Sequence, residues 1–336
     1  MFQAPAIDVR TVLRIGGCYI IGRVTTQVID GKAVQRLSAI SSLRAIGDAL
    51  LVWGVIAAAF VGAHVLDRAY VYALAILIIG GRQNALATLA HEGWHGLLFS
   101  SRRLNHAAGA WLYSYPIGIL YCHDRERHLR HHREVGHDHD PDWINYTSSG
   151  RRSAWRVLGY LGSLLLGRLL FATVLSFIRR GRPRIAMEPA VVREDQPSVF
   201  GELVRTLVCQ GILFGAMTLI TQKWWSYPLL WMLPLATLAG FFANFRALVE
   251  HVSVRDDVAP DARLRDIEAG PLERFFVAPS HFNYHALHHA HPSIPHYNLD
   301  KGRDAYRSQT GSYPFTVWPG YTRALLAHLK ELGSRA

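Results

Sequence analysis

His91-Glu-Gly-Trp-His95, His128-Leu-Arg-His131-His132 and His285-Ala-Leu-His288-His289 each place imidazoles three or four residues apart. A helix brings residues at that spacing onto one face, so each stretch can aim two or three ring nitrogens at one point. That is the spacing of metal ligands, repeated three times. Eight clustered imidazoles exceed the four ligands of one tetrahedral zinc, so the pattern calls for more than one metal. His251, in Arg246-Ala-Leu-Val-Glu250-His251, adds a ninth. Nine suffice for two metals with four or five ligands each, and imidazole suits iron, copper and zinc alike.

Taken alone, His91-Glu92-x-x-His95 is the pattern of a zinc metalloprotease, two ligands on one helical turn with the glutamate as general base. An intramembrane HExxH protease is therefore the different-class alternative, and a passive metal-binding membrane protein a third. The protease leaves two HxxHH sets without a role. Glu92 is read instead as an acceptor for a ligand imidazole, or as a bystander. His64, His106, His296 and His328 stand alone and are expected in the core or on the surface. His137, His139 and His291 flank the clusters, and His281, four residues before His285, is the reserve ligand. Carboxylates that orient such imidazoles are sought among Glu92, Glu134, Asp138, Asp140, Asp142 and Glu250, with Asp142 and Glu250 preferred.

Four apolar runs lie around these clusters: Ile46 to Val65, Tyr70 to Leu89, Leu203 to Thr221 and Tyr227 to Val249. Each approaches the roughly 20 residues that cross a bilayer. Mean hydropathy is only +0.10 because segments dense in Arg and His offset these runs. Arg82 and Arg246 fall toward one end of their runs and are expected in the headgroup zone. A fifth stretch, Trp155 to Ile178, has Arg168 at its middle and is read as interfacial. Only then do all three clusters share one membrane face; a re-entrant segment near Leu104 to Tyr121 would also keep the parity even. Thr11 to Ile29, broken by Arg14, Gly16, Gly17 and Arg23, is expected as an amphipathic surface helix rather than a signal peptide.

The connections between paired spans are short, Asp67 to Ala69 and Gln222 to Ser226. The other loops carry most of the basic residues, including Arg102, Arg103, Arg125, Arg127, Arg130, Arg133, Arg151 and Arg152. The positive-inside rule makes that face cytoplasmic. The net charge of +11 then gathers where anionic headgroups and an acidic protein partner lie, and nucleic acid is not expected. Cys18, Cys122 and Cys209 form no CxxC pair and no disulfide framework. Gly181 to Ser198, with three prolines, reads as a loop. Trp111, Tyr113, Tyr121, Trp143, Trp224 and Trp225 are expected as interface anchors. The expected fold is all-α, a polytopic bundle of about four transmembrane helices with a cytoplasmic helical cap. Residues 1–336 are read as one domain.

Over roughly residues 40 to 330 the chain resembles the integral-membrane fatty acid desaturase and hydroxylase superfamily. The resemblance rests on the three histidine boxes in order, on Arg127-His-Leu-Arg-His-His132 leading to Asp140-Pro-Asp142, on Arg246 to His251, and on Asn283-Tyr-His-Ala-Leu-His-His-Ala-His-Pro292 followed by Ser-Ile-Pro295. It implies a non-haem di-iron centre in the cytoplasmic cap, with O₂ as co-substrate, held by His91, His95, His128, His131, His132, His251, His285, His288 and His289. It implies removal of hydrogen from an unactivated C–H bond of a lipid or fatty acid. A fatty-acyl desaturase is the first reading; a hydroxylase, ketolase or oxidative decarboxylase yielding a terminal alkene shares its boxes. Electrons are expected from a separate ferredoxin, rubredoxin or cytochrome, and the expected location is a bacterial inner membrane. The chain departs from the family at the acidic filling of the first box and at Ala247, where some members carry an asparagine four residues before the equivalent of His251.

Overall fold

The computed structural model describes residues 11–15, 18–22, 29–135, 137, 139–142, 153–180, 198–251 and 264–333. Asp138, Trp143, Arg151, Arg152 and nearly all of the loop expected at Gly181 to Ser198 lie outside them. Four segments are long and apolar enough to cross a membrane: α2 (Ser42–Leu66), α3 (Ala69–His95), α8 (Val199–Thr221) and the fourth span, Pro228–His251. The fourth begins as π-helical turns at Pro228–Met232 and Leu235–Ala239 and ends as α9 (Gly240–His251). Ser41 and Ser198 cap α2 and α8 through their side chains, satisfying backbone donors that a helix start leaves open.

The spans differ in what they bury. Helices α2 and α8 expose apolar side chains along their length, from Leu43 and Leu50 to Val65 and from Phe200 to Ile220, as lipid-facing helices do. In α3 every residue from Ile79 to Ala90 is buried except Ala87. Gly93 and Gly109 permit a close approach: a Cβ on Gly93 would lie 3.0 Å from the Gly109 Cα. Tyr121 seals the same contact by donating its hydroxyl to the Gly93 carbonyl at 2.7 Å.

Between the spans, α4 (Arg102–Ala107) continues into a π-helical turn, Ala108–Ser114, and a short 3-10 turn, Tyr115–Ile117. This segment dips beside the spans. Trp53 donates to the Leu112 carbonyl at 3.2 Å, Gln210 to the carbonyls of Tyr115 and Pro116, and Trp231 to that of Pro116. Trp53 and Gln210 each lie about 16 Å along their helices from the first residue, near mid-span. The chain reverses at Gly118, whose φ of +75° is open to glycine, and enters α5 (Tyr121–Glu134). The stretch from Leu104 to Tyr121 therefore packs against the spans, as a re-entrant segment would. It buries Tyr113 and Tyr121, at 1% exposure each, so neither is an interface anchor, whereas Trp111 and Trp224 are exposed.

The fifth apolar stretch is broken at Gly167 (φ +77°) into α6 (Ala154–Leu165) and α7 (Arg168–Arg180). Neither is long enough to cross. Val157, Leu161 and Leu164 face the core while Trp155, Leu158, Leu165 and Leu166 are exposed.

The remaining chain forms the cap: α1 (Gly31–Leu37), β3 (Arg265–Ile267), α10 (Pro271–Phe276), α11 (His285–Ala290), α12 (Leu299–Thr310), β4 (Thr316–Trp318) and α13 (Tyr321–Gly333). Strands β3 and β4 pair in parallel. Two further expectations fail. Thr11–Ile15 and Cys18–Gly22 form an antiparallel hairpin, β1 and β2, instead of a helix; the glycine pair between them favours a turn. Arg82 does not reach the headgroups: it is 6% exposed, its guanidinium donates to the Phe275 carbonyl and lies 3.7 Å from the Phe275 ring centroid. A hydrogen bond to a neutral carbonyl and a π face thus hold the charge against α10.

Candidate metal centre

The first box closes α3, the second runs along α5, His251 ends α9, and the third forms α11. Distant polar groups aim these helices. At the start of α5, Glu202 of α8 accepts from the backbone nitrogens of Cys122 and His123 at 2.9 and 3.0 Å and from the Tyr115 hydroxyl at 3.2 Å. A buried carboxylate at a helix N-terminus satisfies open donors and meets the positive end of the dipole. At the start of α11, Asp266 of β3 accepts from Ala286 and Leu287 nitrogens at 2.7 and 3.3 Å and from the Tyr313 hydroxyl. Burial pushes the Asp266 carboxyl up to about 6, against the pull of these hydrogen bonds. At the end of α3, Asn105 donates to the Gly93 carbonyl and accepts from Leu98, while Arg125 donates to the Trp94 carbonyl.

The result is two adjoining groups of imidazoles. His91, His95, His128, His132 and His288 form one, with ligand atoms within 4.8 Å of one another. His131, His251 and His289 form the second, and His285 joins it through His251. His95 and His128 bring their Nε2 atoms to 2.9 Å, His132 and His288 to 3.2 Å, His251 and His285 to 3.0 Å, and His131 and His251 to 3.3 Å. The adjacent pairs His131-His132 and His288-His289 each send one ring to each group. Across the seam, His132 and His289 stack with centroids 4.1 Å apart and planes 18° apart. All nine histidines singled out in the sequence converge here.

The donor set fits a pair of cations. Both ring nitrogens of His91 and His289 are buried without a hydrogen-bond partner, a state that costs free energy unless something accepts their lone pairs. Burial first, and neighbouring imidazoles second, hold His128, His132, His285 and His289 well below the usual imidazole range. They are thus neutral, the form that binds metal.

The carboxylates divide differently from expectation. Asp140 Oδ1 lies 2.8 Å from His131 Nδ1. Asp142, the preferred candidate, instead pairs with Arg127 at 2.5 Å, and its backbone nitrogen donates to that same Asp140 oxygen. The Pro141 turn thus points the first acid inward. Glu250 meets the expectation: its Oε2 faces His285 Nδ1 at 3.5 Å, and its Oε1 accepts the Tyr321 hydroxyl at 2.5 Å. Glu92 turns away from the imidazoles. Its Oε2 accepts from the His296 nitrogen at 3.0 Å, and its Oε1 stays 4.0 Å from His91 Nδ1. A protease base would face a metal-bound water, so this geometry opposes that reading. His281 lies against Tyr284 and His296, outside both groups.

Asp266, Glu202, Asn105 and Tyr321 were not singled out in the sequence. Each acts across 12 or more positions, and linear spacing carries no trace of such partners.

A family model described as fatty acid desaturase matches residues 67–321. The chain is 24% identical over 279 residues to the dihydrorhizobitoxine desaturase of Bradyrhizobium elkanii, covering 79% of this chain and 78% of that protein. It is 26% identical over 247 residues to the beta-carotene ketolase of Paracoccus sp. (strain PC1), covering 71% and 83%.

Proposed function

Since the chain belongs to the fatty acid desaturase family, we propose that it is an O₂-dependent di-iron desaturase that introduces a double bond into the acyl chain of a membrane lipid or fatty acid. The family makes it an oxidoreductase of the desaturase and hydroxylase superfamily. The observation that carries the finer reading is the division of nine imidazoles, six buried and three half-buried, into groups of five and four contributed by α3, α5, α9 and α11. His91, His95, His128, His132 and His288 would hold one iron, and His131, His251, His285 and His289 the other. Bound there, the metals supply the redox chemistry that activates O₂. The reaction balances as R–CH₂–CH₂–R′ + O₂ + 2 e⁻ + 2 H⁺ giving R–CH=CH–R′ + 2 H₂O.

The chain's own residues supply three things. Asp140, Ala247 and Glu250 face the outer nitrogens of His131, His251 and His285, which sets the direction of each ring. Phe282, 4.5 Å from the His91 ring and itself 4% exposed, keeps one flank dry. The exposed apolar faces of α2 and α8 support an approach of the acyl chain from lipid. The basic loops support a cytoplasmic side for the site and a separate acidic electron carrier as donor. In a bacterium this is the inner membrane.

The test is product analysis from cells expressing the chain, supplied with defined lipids under ¹⁸O₂. Loss of two hydrogens with no label in the lipid is the expected outcome. The ketolase relative makes oxygen insertion the second reading, and a labelled, oxygenated product would replace desaturation with it.

A further inference from the structure

The two groups of imidazoles have the same chemistry but not the same support. In the group of four, three rings have their outer nitrogen engaged or faced. His131 Nδ1 meets Asp140 at 2.8 Å, His251 Nδ1 donates to the Ala247 carbonyl at 3.0 Å, and His285 Nδ1 faces Glu250 at 3.5 Å. Glu250 Oε2 and His285 Nδ1 are both buried and neither has a hydrogen-bond partner, so the carboxylate oxygen at 3.5 Å is the group that faces the ring's outer nitrogen. Tyr321, 0% exposed, holds the carboxylate by its second oxygen. In the group of five, the carboxylate that faces a ring among the described residues is Glu92, at 4.0 Å and committed to the His296 backbone.

On the di-metal reading above, we infer that the two metal positions are unequal. The one formed by His131, His251, His285 and His289 is the high-affinity position, and Tyr321 is a positioning residue for it through Glu250. Two effects compete. The other group offers one more imidazole. A zinc ion, however, is satisfied by four ligands, so a fifth adds little. A partner on a ligand's outer nitrogen is worth about 10–100-fold in metal affinity. Among the described residues, one carboxylate hydrogen-bonded and a second facing at 3.5 Å on one group, against a single carboxylate at 4.0 Å and turned to another partner on the other, decide the order.

Zinc is the probe because its coordination limit removes the advantage of the fifth ring. Metal-free full-length protein in detergent is titrated with Zn²⁺ against a competing chelator. Two equivalents in two resolved affinity classes are expected. Glu250→Gln and Asp140→Asn should each weaken the tight class by about 10–100-fold and leave the weak class in place. The surviving weak class then also reports that the variant is folded. Tyr321→Phe, which removes one hydroxyl, should weaken only the tight class by about 10-fold, the lower end of that range. Glu92→Gln should move neither class.

Two equivalents of equal affinity, or loss confined to the weak class in Glu250→Gln, would overturn the inequality while leaving the di-metal centre standing. Fewer than two equivalents in the unaltered protein would instead remove the di-metal reading itself.

Discussion

His288 contributes to the group of five and its neighbour His289 to the group of four, so single substitutions distinguish the halves. His289→Ala, which leaves three rings in the group of four, should lower bound metal from about two per chain toward one and abolish turnover; a variant that keeps both metals would remove His289 from the ligand set. A second residue, outside the centre, carries a pH signature. Burial lowers the His296 imidazole, but the 3.0 Å hydrogen bond to Asp48 and the Glu92 charge overcome it and leave His296 above its ordinary value. A raised imidazole stabilises the fold fully below the unfolded value near 6.5, and that contribution fades as pH climbs through the folded value. The Tm gap between the protein and Asp48→Asn should therefore be widest at acid pH and close toward alkaline pH. A gap that grows with pH would contradict the pairing. The site histidines themselves were legible because metal spacing is local. Asp140 was not separable from Asp142, since two acids flanking a proline look alike until the turn is built.

At the scale of elements, the histidine helices are held by groups from other helices. Asp266→Ala removes the cap of α11, a change that costs about 0.5–2 kcal/mol at ordinary caps. Its expected mark is a lower Tm together with weakened metal binding by both groups, because α11 feeds both. Loss of stability with metal affinity unchanged would mean α11 is fixed by other contacts. The approach of the re-entrant segment to α3 makes a second test. A methyl on Gly109 would run into the Tyr121 ring, and overpacking of this kind costs about 1–3 kcal/mol. Gly109→Ala should destabilise the protein by that amount in thermal unfolding, and a neutral result would show that the segment can yield. The spans were readable to within a few residues because twenty apolar positions are a long signal. Arg82 misled because a mid-span guanidinium has two solutions, snorkelling or a carbonyl and ring brought by another element, and the second depends on α10, some 190 positions away.

For the whole molecule, four crossings and a broken fifth stretch put the histidine helices on one face of the membrane. Labelling of single cysteines in intact cells, on a background with Cys18 replaced by serine, checks the arrangement. Lys223→Cys, in the short connection after α8, should react with an impermeant reagent from outside, and Arg323→Cys, in α13, should not. The reverse pattern would invert the orientation. The basic loops also need sorting by what their arginines do. Arg127 pairs with Asp124 and Asp142 and Arg125 holds the end of α3, so reversing either charge should cost metal content along with turnover. Arg133, 47% exposed in its side chain, is better placed to meet a donor, and its reversal should slow donor-dependent turnover alone.

The adjacent pairs His131-His132 and His288-His289 have a mechanical meaning. Neighbouring Cα atoms are about 3.80 Å apart and cannot be stretched, and each pair lends one ring to each group. Two covalent rulers, one on α5 and one on α11, therefore gauge the distance between the metal positions. A displacement that α5 and α11 share leaves that gauge unaltered. Lengthening either ruler by one inserted residue would turn the helix beyond it by about 100° and carry a ligand out of reach.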